Sequence, residues 1–452
     1  METKKTMQNI LLLGAGRSAT SLINYLKSNA EKENWHIKIG DFDIKLAEEK
    51  AGNHPNTSFI QFDILNEIQT QDEIAKADLV ISMLPARFHP KVATACVDSG
   101  KHMVTASYNS QDIEDLSDIA KSKNILILME CGLDPGIDHM TAMEAMDKIH
   151  EQGAKLTSFK SYTGGLVAPE SDNNPWHYKF SWNPRNVVLA GQGTAQFIRN
   201  GKYKYIPYHK LFSRYEKIEV NGLGDFEGYP NRNSLKYRKV YGIEEIPTLI
   251  RGTFRKAGFC DAWDVFVQLG VTDDTYKMEA LDEMTIRDFF NAFLPYDKVK
   301  PIEEKLSDYL GLGMNSETFK KLEWLGIFED KKVPITEGSP AQVMQAIMEA
   351  KMSLEPEDKD MIVMQHQFEY ELDGKKYRLD SSIVSKGDDQ LETAMSKTVG
   401  WPMGIAIKNI LNHNINLRGV QIPTKKEIYE PILKELNTMG VQFNENIIEI
   451  ED

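Results

Sequence analysis

Gly14-Ala15-Gly16 ends a short apolar run, Asn9-Ile10-Leu11-Leu12-Leu13, and leads directly into a helix-favouring stretch at 18–29. A buried strand that ends in Gly-x-Gly and turns into a helix leaves free N–H groups at the helix N-terminus, which suits a pyrophosphate. Gly14 permits the tight turn, Gly16 lets the backbone approach phosphates, and Ala19 stands, still small, where a third glycine is common. The next strand, 36–40, ends at Asp41, 27 residues after Gly14. The acid that holds the adenosine ribose usually follows at about 20 residues, and the charged loop Glu31-Lys32-Glu33-Asn34 accounts for the excess. A carboxylate there accepts both ribose hydroxyls and repels a 2′-phosphate, which favours NAD over NADP. The plainer alternative is a solvated loop acid, since Asp43 stands beside it. Asp63, after a third strand at 58–62, is placed to meet the adenine amino group.

These residues need a scaffold, and the order of elements supplies one. Further strands are expected at 78–85, 102–107 and 124–129, with helical patterns between them. Such alternation implies an α/β fold, a Rossmann-type doubly wound parallel sheet. Ligands bind such sheets outside the carboxyl ends of the strands, so Leu84, Ser107, Tyr108 and 130–135 are expected to line the cofactor cleft. Texture changes beyond. From Lys155 to about Cys260 the chain is rich in aromatics, glycines and β-favouring runs. From about Asp261 to Lys359 it is helical. Alternation returns at 365–379 around the turn Asp373-Gly374-Lys375-Lys376, and 394–412 reads as an amphipathic helix.

A chain of 452 residues predicts two or three domains. No apolar run is long enough to span a membrane, and the N-terminus shows no apolar signal stretch. Three dispersed cysteines, Cys96, Cys131 and Cys260, fit a reducing compartment, so a cytoplasmic location is expected. No Cys/His spacing suggests a metal. The formal net charge of −14 disfavours nucleic acid and anionic membranes as partners.

Longer blocks are more specific than the glycine turn. These are Leu84-Pro85 with His89-Pro90, then Val104-Thr105-Ala106-Ser107-Tyr108, and Glu130-Cys131-Gly132-Leu133-Asp134-Pro135-Gly136-Ile137-Asp138-His139. Later come Ser161-Tyr162-Thr163-Gly164-Gly165, Tyr178-Lys179-Phe180-Ser181-Trp182, Glu227-Gly228-Tyr229-Pro230-Asn231-Arg232, Arg251-Gly252-Thr253-Phe254-Arg255 and Ala394-Met395-Ser396-Lys397-Thr398-Val399-Gly400. In one order and over nearly the whole chain, they resemble the saccharopine dehydrogenase family, in particular its glutamate-forming branch. The resemblance implies NAD(P)-dependent oxidation of saccharopine to glutamate and aminoadipate semialdehyde, or the reverse. It implies three parts: a Rossmann domain at 1–133 and 390–452, a mixed α/β substrate domain at 134–265 and 361–389, and an all-helical insert at 266–360.

The resemblance also implies a site. Cofactor contacts fall to Gly14, Ala15, Gly16, Arg17, Ser18, Ala19, Asp41, Phe42, Asp63, Ile64, Leu84, Ala106, Ser107, Leu133, Asp134, Pro135 and Ser181. Substrate contacts fall to Ser107, Tyr108, Asp134, Thr163, Arg232, Arg251, Thr253, Phe254 and Arg255. Saccharopine carries three carboxylates, which guanidinium groups grip bidentately. Arg251 and Arg255 share a face on either a helix or a strand, so their spacing does not choose between them. Asp134 and Tyr108 are the expected acid–base residues, with helix capping the plain alternative for Asp134 and aromatic packing that for Tyr108. His139 is read as packing or positioning the Asp134 turn. Two positions depart from the family: Thr163 stands where many relatives have cysteine, and Asn233 where aspartate is common. The rival readings are a carboxynorspermidine- or carboxyspermidine-type dehydrogenase and a non-catalytic NAD-binding sensor or scaffold. A small-molecule substrate is the expected partner, and a homodimer is compatible with the sequence.

Overall fold

The computed structural model describes residues 6–451. The chain forms two compact units: Met1–Gly153 with Gly387–Phe443, and Ala154–Lys386 with Asn444–Asp452.

The first unit contains β1 (Gln8–Leu13), β2 (Trp35–Asp41), β3 (Thr57–Gln61), β4 (Leu79–Ser82), β5 (His102–Val104) and β6 (Leu126–Leu128). The second contains β7 (Lys155–Val167), β8 (Ala195–Arg199), β9 (Lys202–Ile206), β10 (Glu216–Val220), β11 (Gly224–Pro230), β12 (Thr248–Lys256), β13 (Asp360–Leu372) and β14 (Lys375–Lys386). The chain then returns to the first unit for β15 (Gly419–Gln421) and ends in the second with β16 (Asn444–Ile450).

The first sheet has the order β15-β6-β5-β4-β1-β2-β3, and every pairing is parallel. Its strand order reverses between β1 and β4, which makes their carboxyl ends the ligand crevice. Ile10–Leu13 are buried on both faces, as strands covered by helices on each side must be. Helix Thr20–Glu33 packs beneath helix Ala394–Leu411. The latter is not amphipathic: all but Val399, Trp401 and Lys408 are buried. Its glycines make the close approach, since a Cβ on Gly400 would lie 2.7 Å from Leu22 N and one on Gly404 2.4 Å from the Tyr25 ring.

The second sheet runs β10-β11-β12-β7-β13-β14-β16, with β8 joining β12 and β9. β7 and β12 are parallel, and the rest of this path is antiparallel. Asp373 and Gly374, both at positive φ, close the β13–β14 hairpin where the sequence places a turn.

The domain boundaries differ from the expected ones in three places. β16 hydrogen-bonds to β14, so 444–450 belongs to the second unit rather than to the Rossmann unit. Helix Ile137–Glu151 stays with the first unit, held to helix Lys426–Thr438 by Lys426 on Glu151 at 2.7 Å and by the Tyr429 hydroxyl on Asp147. The helices between β12 and β13 do not form a unit of their own. Their Phe266, Phe289, Phe319 and Met348 share one core with Tyr162, Phe254 and Val363 of the sheet. Among the described residues no helix is long and apolar enough to cross a membrane.

Candidate active site

The turn after β1 is built to leave a concave backbone open. Gly14 has φ +99°, and a Cβ there would lie 2.8 Å from the Met83 carbonyl oxygen, so glycine is required. Gly14 N–H donates to Gly40 O and Ala19 N–H to Gly16 O. A Cβ on Gly16 would meet nothing within 4 Å, so its face is free for a ligand. The N–H groups of Gly16, Arg17 and Ser18 have no acceptor among the described residues. A short 3₁₀ turn at Arg17–Ala19 precedes helix Thr20–Glu33. Ser396 Oγ already accepts the Ser21 N–H at 2.9 Å, which leaves the 3₁₀ turn as the free anion-binding end. This arrangement fits the pyrophosphate of a dinucleotide.

Asp41 ends β2, half-buried. Its Oδ2 accepts the Ala15 N–H at 2.7 Å, and its Oδ1 accepts the Asp43 N–H at 2.9 Å. It therefore braces the glycine turn, and each oxygen keeps a lone pair for a ribose hydroxyl. Asp43 caps helix Ile44–Ala51. Beside them Phe42 is 71% exposed, an apolar platform on the surface. Asp63 accepts the Leu65 N–H at 2.9 Å, Ile64 is buried beneath it, and Leu84 is half-buried after β4.

The segment after β6 folds tightly on itself. A Cβ on Gly132 would lie 2.7 Å from Ala106 Cβ, so Leu133, Asp134 and Pro135 are held close to the end of β5. Within 131–140 only Asp134 escapes full burial. The Tyr108 hydroxyl donates to Asp134 Oδ1 at 3.2 Å. Asp134 does not cap the following helix: Gly136 is its N-cap, and Asp138 Oδ1 accepts the Gly136 N–H at 2.7 Å. Beneath this pair, Glu130 Oε2 meets His139 Nε2 at 2.7 Å, both buried, and Glu130 Oε1 accepts the Asn109 N–H at 2.9 Å. Glu130 thus ties the Tyr108 segment to the Asp134 turn. Burial pushes the Cys131 thiol well above its ordinary range, which leaves it inert at neutral pH.

In the second unit β12 answers the question the arginine spacing left open. Arg251, Thr253 and Arg255 alternate along a strand and share one face. Thr163 of β7 lies directly opposite Thr253 and so joins that face. Arg255 is 4% exposed. Its Nη1 donates to Phe254 O at 3.2 Å, and its guanidinium carbon lies 5.0 Å from the Phe259 ring and 5.3 Å from the Tyr178 ring. Its Nε has no acceptor, and no carboxylate pairs with it among the described residues. The Thr163 hydroxyl is likewise buried and without a partner. Two unsatisfied polar groups on one sheet face call for a ligand or solvent. The Arg251 guanidinium stacks 4.1 Å over Tyr237. Arg232, at φ +50°, is exposed in the loop after β11, and Asn233 accepts the Leu235 N–H there.

Phe254 points to the opposite face, wholly buried and stacked on Tyr162 at 5.3 Å, so its side chain packs the core and leaves its backbone as the part that can face a substrate. Ser181 is buried in the second unit, apart in sequence from the other expected cofactor residues. His89, which in the sequence is only part of the Leu84–Pro85/His89–Pro90 block, bonds to both Ser82 and Ser107. Its position seven residues after the serine that ends β4 is a weak signal.

Comparison with known proteins adds the lineage. The profile described as "Saccharopine dehydrogenase C-terminal domain" matches residues 132–441, and "Saccharopine dehydrogenase NADP binding domain" matches residues 10–128. The chain belongs to the saccharopine dehydrogenase family. It is 34% identical to "Saccharopine dehydrogenase [NADP(+), L-glutamate-forming]" of Schizosaccharomyces pombe, covering 98% of this chain and 100% of that one. It is 35% identical to the mitochondrial alpha-aminoadipic semialdehyde synthase of Bos taurus, over 97% of this chain and 48% of that protein, so it spans about half of that relative's length. The apo saccharopine dehydrogenase (L-Glu forming) of Saccharomyces cerevisiae superposes with a TM-score of 0.87 at 31% identity, covering 98% of this chain and 100% of that one. The family's dinucleotide domain is thus described for NADP, which is the less favoured of the two cofactors on the Asp41 argument.

Proposed function

We propose that the protein is a nicotinamide-dinucleotide-dependent saccharopine dehydrogenase of the L-glutamate-forming kind. It oxidises L-saccharopine to L-glutamate and 2-aminoadipate 6-semialdehyde, or runs the reverse. The observation that carries this reading is the Arg255 guanidinium, buried on a sheet face with Thr253, Arg251 and the Thr163 hydroxyl, where among the described residues neither the guanidinium has a carboxylate nor the hydroxyl a partner. A buried cation of this kind needs an anion, and a tricarboxylate supplies several. Polyamine-type substrates, with fewer carboxylates and more ammonium groups, suit it less well.

The dinucleotide, NADP or NAD, supplies the hydride acceptor when bound. Gly16, Arg17 and Ser18 offer it their backbone N–H groups, and Asp41 holds the turn in shape. Asp134 takes the proton from the substrate's secondary amine, because only the neutral amine can release hydride from the neighbouring carbon. The Tyr108 hydroxyl, already on Asp134 Oδ1, keeps that carboxylate oriented. Once that proton has passed to solvent, the Asp134 carboxylate, held by Tyr108, accepts a proton from the water that attacks the imine carbon. General acid–base help of this kind is worth roughly 10²–10⁴-fold. Arg232 and Arg251 complete the carboxylate contacts. The three cysteines are free and buried, which supports a reducing, cytoplasmic setting.

The test offers L-saccharopine and carboxynorspermidine to the purified protein with NAD⁺ and with NADP⁺. Reduced dinucleotide together with glutamate from saccharopine is the expected result. Turnover of carboxynorspermidine alone overturns the substrate, and no turnover in any of the four mixtures overturns the enzyme.

A further inference from the structure

Four side chains at the carboxyl ends of β4 and β5 form a closed hydrogen-bond circuit. His89 opens helix His89–Ser99 and is 2% exposed. Its Nδ1 lies 2.8 Å from the hydroxyl of Ser82, the last residue of β4. Its Nε2 lies 2.6 Å from the hydroxyl of Ser107, three residues beyond β5. Thr105 completes the ring: its hydroxyl donates to Ser82 O at 2.7 Å and accepts the Ser107 N–H at 3.3 Å. Both nitrogens of one imidazole are thus spent on two serines.

The direction of these bonds follows from what each group must satisfy. Burial pulls the His89 pKa down to about 4, so near neutral pH the ring is uncharged, with one nitrogen donating and the other accepting. Ser82 is wholly buried, and His89 is the one partner of its hydroxyl among the described residues. A buried O–H without an acceptor costs more than an unused lone pair. The Ser82 hydroxyl therefore donates to Nδ1, which leaves the ring proton on Nε2, and Nε2–H donates to Ser107 Oγ. Ser107 is half-buried. With its oxygen engaged from behind, its own O–H is left to point at whatever occupies the crevice.

We propose that His89 is a positioning residue that turns Ser107 into a dedicated hydrogen-bond donor for an acceptor oxygen of the bound dinucleotide. The inference rests on the reading of Ser107 as a cofactor contact. The dinucleotide is favoured over the amino-acid substrate because β4 and β5 flank the point where the strand order reverses, the crevice such sheets use for nucleotides.

The test titrates NADPH and NADH, by the fluorescence of the reduced ring, into wild type, Ser107→Ala, His89→Ala, His89→Gln and the His89→Ala/Ser107→Ala pair, with thermal melts of each. Ser107→Ala is expected to weaken binding about three- to tenfold, the range of one hydrogen bond. His89→Ala should match it, and the double variant should be no weaker than either single one, because both remove the same contact. His89→Gln, with an amide nitrogen near the place of Nε2, should recover most of the affinity. A merely structural histidine gives additive losses and no rescue by glutamine, which overturns the inference. Wild-type affinity in Ser107→Ala overturns the reading of Ser107 itself. Weakened Ser107→Ala with unchanged His89→Ala and His89→Gln overturns the role of His89 alone. A raised KM for saccharopine with unchanged dinucleotide affinity assigns the donor to the substrate and also overturns it.

Discussion

Burying a guanidinium with no carboxylate beside it costs folding free energy, and among the described residues Arg255 is buried in this way, against two ring faces and one carbonyl. A prediction follows that separates function from stability. Arg255→Met should raise the KM for saccharopine about ten- to hundredfold, the loss of a charged hydrogen-bond partner of roughly 1.5–3 kcal/mol. The melting temperature should stay level or rise, and NADPH affinity should not change. A lowered melting temperature with unchanged KM would make Arg255 a structural residue. Asp41 allows a similar separation. Asp41→Asn keeps an oxygen for the Ala15 N–H and removes the charge facing a 2′-phosphate. We expect kcat/KM with NADP⁺ to rise about tenfold relative to NAD⁺, about 1.4 kcal/mol. An unchanged ratio would leave Asp41 as a brace only. The charge and motif of these residues are legible in the sequence because both are local. The face each shares is not. Phe254 sits inside a substrate motif yet points into the core, and only the register of β12 against β7 shows it. His89 reaches Ser107 across 18 residues of chain, a contact created by where two strands end.

Parallel strands and their helices were legible because their periodicities are strong, and β1 to β6 lie where the alternation places them. β15 was not: three residues, Gly419–Gln421, are too short to show a period, and pairing with β6 defines them. Helix Ala394–Leu411 is legible as a helix but not as a buried one, because its weak polar pattern reflects close contact on most sides and not an open face. Gly400 and Gly404 explain how it fits. Gly400→Ala would press a Cβ to 2.7 Å of the Leu22 backbone nitrogen, and backbone cannot yield as a side chain can. Overpacking of this kind costs about 1–3 kcal/mol, partly offset by up to ~1 kcal/mol of alanine's helix propensity. Gly400→Ala should therefore lower stability in denaturant melts by about 1–2 kcal/mol. It should also weaken NADPH binding several-fold, since Leu22 lies in the first turn of the helix that carries the pyrophosphate turn. Stability lost with full NADPH affinity would show that the two helices do not communicate.

At the scale of the molecule, the chain leaves the first unit at Gly153 and re-enters it at Gly387. The first unit thus depends on a segment made more than two hundred residues later, and its stability is one property of 1–153 and 387–443 together. Two of its histidines make that stability sensitive to acid. Burial pulls His89 and His102 each from 6.5 to about 4. Between these values the unfolded chain binds protons that the folded unit refuses, so stability rises with pH in this window. The contribution is fully present above about pH 6.5 and is lost as pH falls to about 4. Each group contributes at most about 1.4 kcal/mol per pH unit, with His102 counting for less because it is only half-buried and water screens it. Over the whole window His89 accounts for roughly 3 kcal/mol. Urea melts of the full chain at steps from pH 7 to pH 4.5, followed by hydrogen exchange in peptides of each unit, should show the first unit's protection falling along this slope. His89→Gln removes the larger of the two titrating groups, and its stability should fall less steeply across the same window, by more than half. A slope identical to wild type would mean that His89 is already protonated in the folded chain. The direction of its bonds to Ser82 and Ser107 would then need to be reversed at one end.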